Sequence, residues 1–147
     1  MSRRKLVYFI LFNFLLTSLV SCKIPKDPQN SWNKAKENEL IVGVVANPPF
    51  TAVTNENFTG SEIELIRNFA RENHLKVNFI EDNESNLIKK LQDYKVSVVI
   101  GGFDKKSVWK DKAGLSKTYD DKHVLLLPKG ENELLIHLES YIYKINK

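Results

Sequence analysis

One cysteine, Cys22, is all the thiol this sequence carries, so no intramolecular disulfide can staple the fold and an apolar core must hold it alone. Three histidines, His74, His123 and His137, fall on a helix end, a strand and a helix. No cysteine partners them and no spacing suits a metal, so they read as solvated or structural side chains. Glycine is scarce, and the one doublet, Gly101-Gly102, lacks the Lys-Ser or third glycine of a phosphate-cradling loop. No serine sits in a nucleophile elbow. Glu62, Glu64 and Asp104 are capable of acid and base work, but nothing in the sequence pairs them. Neither a cofactor, a metal nor an enzymatic activity is expected. The longest apolar run, Leu6 to Leu16, is shorter than the roughly 20 residues a spanning helix needs.

That run lies behind a basic start, Met1-Ser2-Arg3-Arg4-Lys5, and ahead of Thr17-Ser18-Leu19-Val20-Ser21-Cys22, the layout of a secretory signal. Leu19-Val20-Ser21-Cys22 resembles the lipobox of bacterial lipoproteins, in which the cysteine is acylated, as with palmitate, and becomes the new first residue. Residues 1–21 are thus expected to be a lipoprotein signal peptide. They carry three positive charges and no acid, so the net charge of +4 falls to +1 over the remaining 126 residues. A nearly neutral chain with interspersed Lys and Glu offers no footprint for nucleic acid. Residues 22–36 are polar, with Pro25 and Pro28, and read as a lipid-anchored tether. Trp32 is the anomaly in it, docked on the domain or seated at the headgroup layer. Residues 37–147 are expected to form one domain.

The organising stretch is Leu40 to Phe50. Leu40-Ile41-Val42-Gly43-Val44-Val45 has no polar alternation, the pattern of a strand covered on both faces. It stops at Asn47-Pro48-Pro49, where the prolines supply no ladder donors, and Phe50 follows beyond the strand's carboxyl end. Phe50 either plugs the core or lines a site, since open α/β sheets bind ligands at that end. Ser61 and Glu64 have the spacing of a capping box. They open a helix whose apolar face is Ile63, Ile66, Phe69 and Ala70. Lys76 to Ile80 reads as a second strand, Leu87, Ile88, Leu91 and Tyr94 as a short amphipathic helix, and Val96 to Ile100 as a third strand closed by Gly101-Gly102. His123 to Leu127 is a fourth strand, and Leu134, Leu135, Leu138, Tyr141, Ile142 and Ile145 form the stripe of a final helix. Strand, helix, strand, helix, strand predicts an α/β fold: a three-layer, open, mainly parallel sheet flanked by helices, with the first strand in the middle. The Asn47 to Phe50 and Gly101 to Trp109 loops then converge over a switch point.

Leu40 to Phe50, Phe58-Thr59-Gly60-Ser61-Glu62-Ile63-Glu64-Leu65, Lys95 to Phe103, Leu115 to Tyr119 and Val124 to Gly130 together resemble the first lobe of bacterial extracellular solute-binding proteins of family 3, polar-amino-acid receptors of ABC transporters. The resemblance implies lobe 1 of a type II periplasmic binding protein, with ligand-binding residues drawn from Asn47, Phe50, Gly101, Gly102, Phe103, Asp104 and Trp109. Two departures stand out. Family members insert a second lobe after the hinge strand, whereas Val124 to Gly130 here runs straight into Glu131 to Leu135, similar to their last helix. The family also places an Arg after the glycine turn to grip a carboxylate, and Trp109 stands there instead. With Phe50 and Phe103 it would make an aromatic platform, and Lys105, Lys106 or Lys110 could offer only point charges.

The expected function is therefore a lipid-anchored, extracytoplasmic solute-binding-like protein at the cell membrane, binding or sensing a small polar solute such as an amino acid beside an ABC permease or a sensor. The alternatives are a protein–protein interaction lobe that has lost solute binding, and, more weakly, a dehydratase-like enzyme. A homodimer covering the open cleft is a further expected partner.

Overall fold

The computed structural model describes residues 27–55 and 57–147. The expected signal peptide, the expected lipidation site Cys22 and the start of the expected tether lie outside the described residues. The elements follow in the order α1 (Ser31–Glu37), β1 (Leu40–Val44), β2 (Ala52–Thr54), β3 (Asn57–Thr59), α2 (Ser61–Glu72), β4 (Val77–Glu81), α3 (Glu84–Gln92), β5 (Val98–Asp104), a 3-10 turn (Val108–Asp111), β6 (Gly114–Leu115), β7 (His123–Leu127) and α4 (Asn132–Ile145). Five strands form one sheet in the order β4-β1-β5-β7-β6. β1 lies between β4 and β5 and is parallel to both. β7 and β6 continue the sheet antiparallel.

Both faces of the sheet are covered, which is why β1 and β5 lack polar alternation. Leu40, Val42, Val44, Val98 and Ile100 point into one core with Ile63, Ile66 and Phe69 of α2 and Leu134 and Leu138 of α4. Val99, Phe103, Val124 and Leu126 point into the other, with Leu87, Ile88 and Leu91 of α3. Gly43 lets α3 come close, because a Cβ there would stand 2.7 Å from Leu87 Cδ2. Side chains this completely buried contribute about 1.5–3 kcal/mol each.

Three expectations need correction. Residues 31–36 of the expected tether are instead part of α1. Trp32 is only 5% exposed and stacks on His137 with ring centroids 3.8 Å apart, because its indole has an apolar slot between α2 and α4 to fill. The capping box at Ser61 and Glu64 is not made. Gly60 is the N-cap and no side chain caps the helix, while Glu64 pairs with Arg67 at 2.6 Å. The third strand is not closed by Gly101-Gly102: β5 runs through both glycines to Asp104, and the segment after Phe50 forms the β2–β3 hairpin. Among the described residues, no helix is long and apolar enough to cross a membrane.

Candidate functional site

The loop that leaves β1 is built by its own backbone. The Asn47 N–H donates to Thr51 O at 2.9 Å, and Asn47 O accepts the N–H groups of Phe50 and Thr51 at 3.0 and 3.2 Å. Pro48-Pro49, joined by a cis peptide, fills the bend between them. The buried Thr51 hydroxyl donates back to Val45 O. The loop is then fastened to two neighbours. Phe50 O accepts the N–H of Glu62 in α2 at 3.0 Å, and Asn47 Nδ2 donates to Gly101 O at 2.8 Å. Gly60 is required here: its φ is +122° and a Cβ would lie 2.3 Å from Phe50 O.

Opposite this loop, β5 passes through Gly101-Gly102 before it ends at Asp104. Gly102 has φ +68°, and a Cβ on it would stand 2.5 Å from Phe50 Cδ2 and 2.9 Å from Asn47 Nδ2. The ring of Phe50 thus occupies the space a side chain would have taken. His123 closes the other side, its ring centroid 4.4 Å from that of Phe50. Asp120 holds His123 by both ends, accepting its N–H at 2.7 Å and lying 2.6 Å from Nδ1.

Beneath the glycines sits Glu62, 0% exposed. Its Oε2 accepts the N–H groups of Gly101 and Gly102 at 2.7 and 2.9 Å, and its Oε1 accepts the Tyr119 hydroxyl at 2.6 Å. Burial raises the Glu62 pKa above its ordinary value of 4.5. The bonds from Tyr119, Gly102 and Gly101 and the nearby His123 pull the other way without cancelling it. Burial, and then the Glu62 carboxylate, push the Tyr119 phenol far up, so it stays protonated and donating. Asp120 is held below the ordinary carboxylate value: burial pushes it up, but the His123 and Lys122 hydrogen bonds outweigh that.

Of the residues expected at the site, Asn47, Phe50, Gly101 and Gly102 are brought together, and Asp104 sits at the end of β5 opposite His123, its Oδ1 accepting the Lys106 N–H at 2.8 Å. Phe103 and Trp109 are not part of this cluster. Side chains alternate along a strand, so Phe103, next to Gly102, points through the sheet into the core on the α3 side and is 7% exposed. Trp109 packs against that same core, and its Nε1 donates to Glu84 at the start of α3. The platform of Phe50, Phe103 and Trp109 therefore does not form. Glu62, Tyr119, His123 and Asp120 were not expected as one cluster. The readable signal for Glu62 was an acid at the second position of a helix aimed at a glycine doublet. Tyr119 and His123 gave none, since Glu62 and Phe50, which they meet in the site, are far away in sequence.

The cluster offers two backbone donors already taken, an aromatic ring, an imidazole and a carboxylate at its rim, which suits recognition of a small polar solute more than bond breaking. No group of three or more His, Cys, Asp or Glu able to hold a metal occurs among the described residues. A separate hollow of about 340 Å³ on the outer face of α4, lined by Lys117, Ile136, Glu139, Ser140 and Tyr143, holds no buried polar group and is not the site the loops build.

The chain is similar to several known proteins. A probable histidine-binding protein of Campylobacter jejuni is 25% identical over 134 residues, which are 90% of this chain and 52% of that protein. The chain thus spans about half the length of the curated relative it matches. A point mutant of the arginine-bound form of domain 1 from TmArgBP superposes with a TM-score of 0.72 at 24% identity, covering 78% of this chain and 97% of that one. The arginine-bound form of the same domain gives a TM-score of 0.66 at 25% identity, covering 71% and 91%. Residues 40–146 match the model of a single family. With that match across most of its length, and the fold of an isolated first domain, the chain belongs to the bacterial extracellular solute-binding proteins, family 3.

Proposed function

We propose that this chain is a lipid-anchored, extracytoplasmic binding lobe for a small polar solute, an amino acid in the first instance, held at the cell membrane through Cys22 and serving an ABC permease or a sensor. The observation that carries the reading is the Phe50–Gly102–His123 cluster, locked from below by Glu62 at the carboxyl ends of the two central parallel strands. Relatives named for histidine and arginine support an amino acid as the solute. A cationic side chain suits the local chemistry, because Asp104 and Asp120 flank the cluster and His123 and Phe50 offer ring faces. Binding, and no turnover, is the proposed activity.

Titration calorimetry of residues 27–147 with histidine, arginine, lysine and glutamine tests it. One open lobe forgoes the contacts a second would add, so an affinity of tens of micromolar is expected, about two decades weaker than an enclosed site that buries roughly 100 Å² more. Heat of binding that Phe50→Ala abolishes supports the reading. No heat and no rise in melting temperature with any amino acid overturns it.

The reading of a pure protein–protein interaction lobe loses its proposed surface, since Phe103 is buried and Trp109 is bonded to Glu84.

A further inference from the structure

The hydrogen-bond donors gathered around the candidate site are committed to the protein itself. The N–H groups of Gly101 and Gly102 both go to Glu62 Oε2, at 2.7 and 2.9 Å, and the Tyr119 hydroxyl goes to Glu62 Oε1 at 2.6 Å. Asn47 commits one of its two amide hydrogens to Gly101 O. The N–H of His123 goes to Asp120 Oδ1 at 2.7 Å, and that of Lys106 to Asp104 Oδ1 at 2.8 Å. Successive backbone amides are a ready anion cradle. Here the protein's own buried carboxylate already fills the pair at the glycines.

What remains at the rim is the opposite kind of group. Asp104 and His123 stand directly opposite each other on β5 and β7. Their chain neighbours Phe103 and Val124 both enter the core on the α3 side, so Asp104 and His123 project to the other face. There the His123 ring lies 4.4 Å from that of Phe50. Paired side chains on one face of a sheet start about 5 Å apart at Cβ, so the Asp104 carboxylate borders the two rings. Asp104 gives Oδ1 to the Lys106 N–H, and no hydrogen bond among the described residues takes Oδ2. Asp120 lies 2.6 Å from His123 Nδ1, so in the neutral ring the proton sits on Nδ1 and Nε2 keeps its lone pair. Among the described residues no Lys or Arg pairs with Asp104, Asp120 or Glu62. Lys105, next to Asp104 in the chain, directs its ammonium to Asp121 O at 3.5 Å.

We infer that the site takes a solute by an ammonium or guanidinium group and offers nothing to a carboxylate, so that its preferred solutes are cationic amines without one. The inference rests on the proposed small-solute site and narrows the solute. Its physical reason is one of sign. A cationic group brings donors to Asp104 and His123 and a charge that aromatic rings attract. A carboxylate on the same molecule finds the glycine amides taken, and Asp104 and Asp120 repel it. A cationic amino acid is then held by its side chain, with its carboxylate left in water.

The test is titration calorimetry of the full chain with arginine and with agmatine, which is arginine without its carboxylate; lysine and cadaverine form a second such pair. Each amine is expected to bind at least as tightly as its amino acid, and about threefold tighter at low ionic strength. Asp104→Asn keeps an oxygen for the Lys106 N–H. It is expected to weaken agmatine about fivefold and to bring agmatine and arginine together, with the melting temperature unchanged. Should that variant not fold, the two ligand pairs on the unaltered chain still decide. Arginine bound tighter than agmatine, or agmatine held equally by a folded Asp104→Asn, overturns the inference and leaves the small-solute site standing. A chain that binds none of the four removes the site and the inference with it.

Discussion

Glu62 and Tyr119, 57 positions apart in the chain, meet in a 2.6 Å hydrogen bond under the floor of the candidate site. The phenol donates to one carboxylate oxygen while the other receives two glycine N–H groups. One buried side chain thereby fixes α2, the end of β5 and the loop before β7 in a single arrangement.

Removing that carboxylate should be expensive and replacing it should not. Glu62→Ala strands three donors and is expected to cost about 3 kcal/mol or more of unfolding free energy. Glu62→Gln keeps an oxygen for the glycines and an amide that can donate to the Tyr119 oxygen, and is expected to stay within about 1 kcal/mol of the wild type. Urea unfolding at neutral pH measures both. Equal losses in the two variants would show that the hydrogen bonds are not what Glu62 contributes.

The raised Glu62 pKa has a sign that can be checked. Between its ordinary value of 4.5 and its higher folded value, the native state holds a proton the unfolded chain has released. Stability through this group therefore falls as pH rises across that window, and is recovered on acidification. In Glu62→Gln the contribution disappears, so the variant should gain on the wild type as pH rises through the window and then hold a constant offset. Asp82 acts in a separate window. Its Lys90 and Asn86 hydrogen bonds lower it from 3.8 to about 2, so its contribution is lost only as pH falls through that lower range. Melting temperatures of wild type and Glu62→Gln across a pH series separate the two.

Phe50 and Phe103 should behave oppositely. Phe103→Ala empties a core position and is expected to cost about 3–5 kcal/mol. Phe50→Ala should cost less than half as much, since the ring is only partly buried, but should abolish amino-acid binding. Chemical denaturation paired with calorimetry on each variant makes the comparison.

Gly102→Ala forces a Cβ into the Phe50 ring at a positive φ. A stability loss of about 1–2 kcal/mol with loss of solute binding is expected. Adding Phe50→Ala should return part of the stability, because the clash is removed while the backbone strain stays. Gly114→Ala, where a Cβ would meet nothing closer than 3.4 Å, serves as the control.

The anchoring of α1 gives another measurable outcome. Trp32→Ala removes a ring packed on Phe69 and His137 and is expected to cost about 3–5 kcal/mol. A loss under about 1 kcal/mol would mean that α1 adds little to the domain.

Much of the architecture follows from the sequence because it depends on local pattern. Short runs rich in β-branched residues at Leu40 to Val45 and Val96 to Ile100, without polar alternation in the first, read as strands covered on two faces. The spacing of Ile63, Ile66, Phe69 and Ala70 admits only a helix with one apolar side. Asn47, Phe50, Gly101 and Gly102 were legible as neighbours once the strand order was known, because ligands and loops gather at a switch point. The tertiary structure alone decided the remainder. Whether Phe103 lined the site or the core turned on one step of strand alternation, which a glycine doublet does not reveal. The capping box failed because Glu64 pairs with Arg67 and the chain enters α2 through Gly60. Glu62, Gly101 and Tyr119 form one network only through contacts across 39 to 57 residues. Polar composition hid α1 and the segment before it, since what orders Asp27 to Glu37 is the amino end of α4 and the slot for Trp32, surfaces that exist only after the rest has folded.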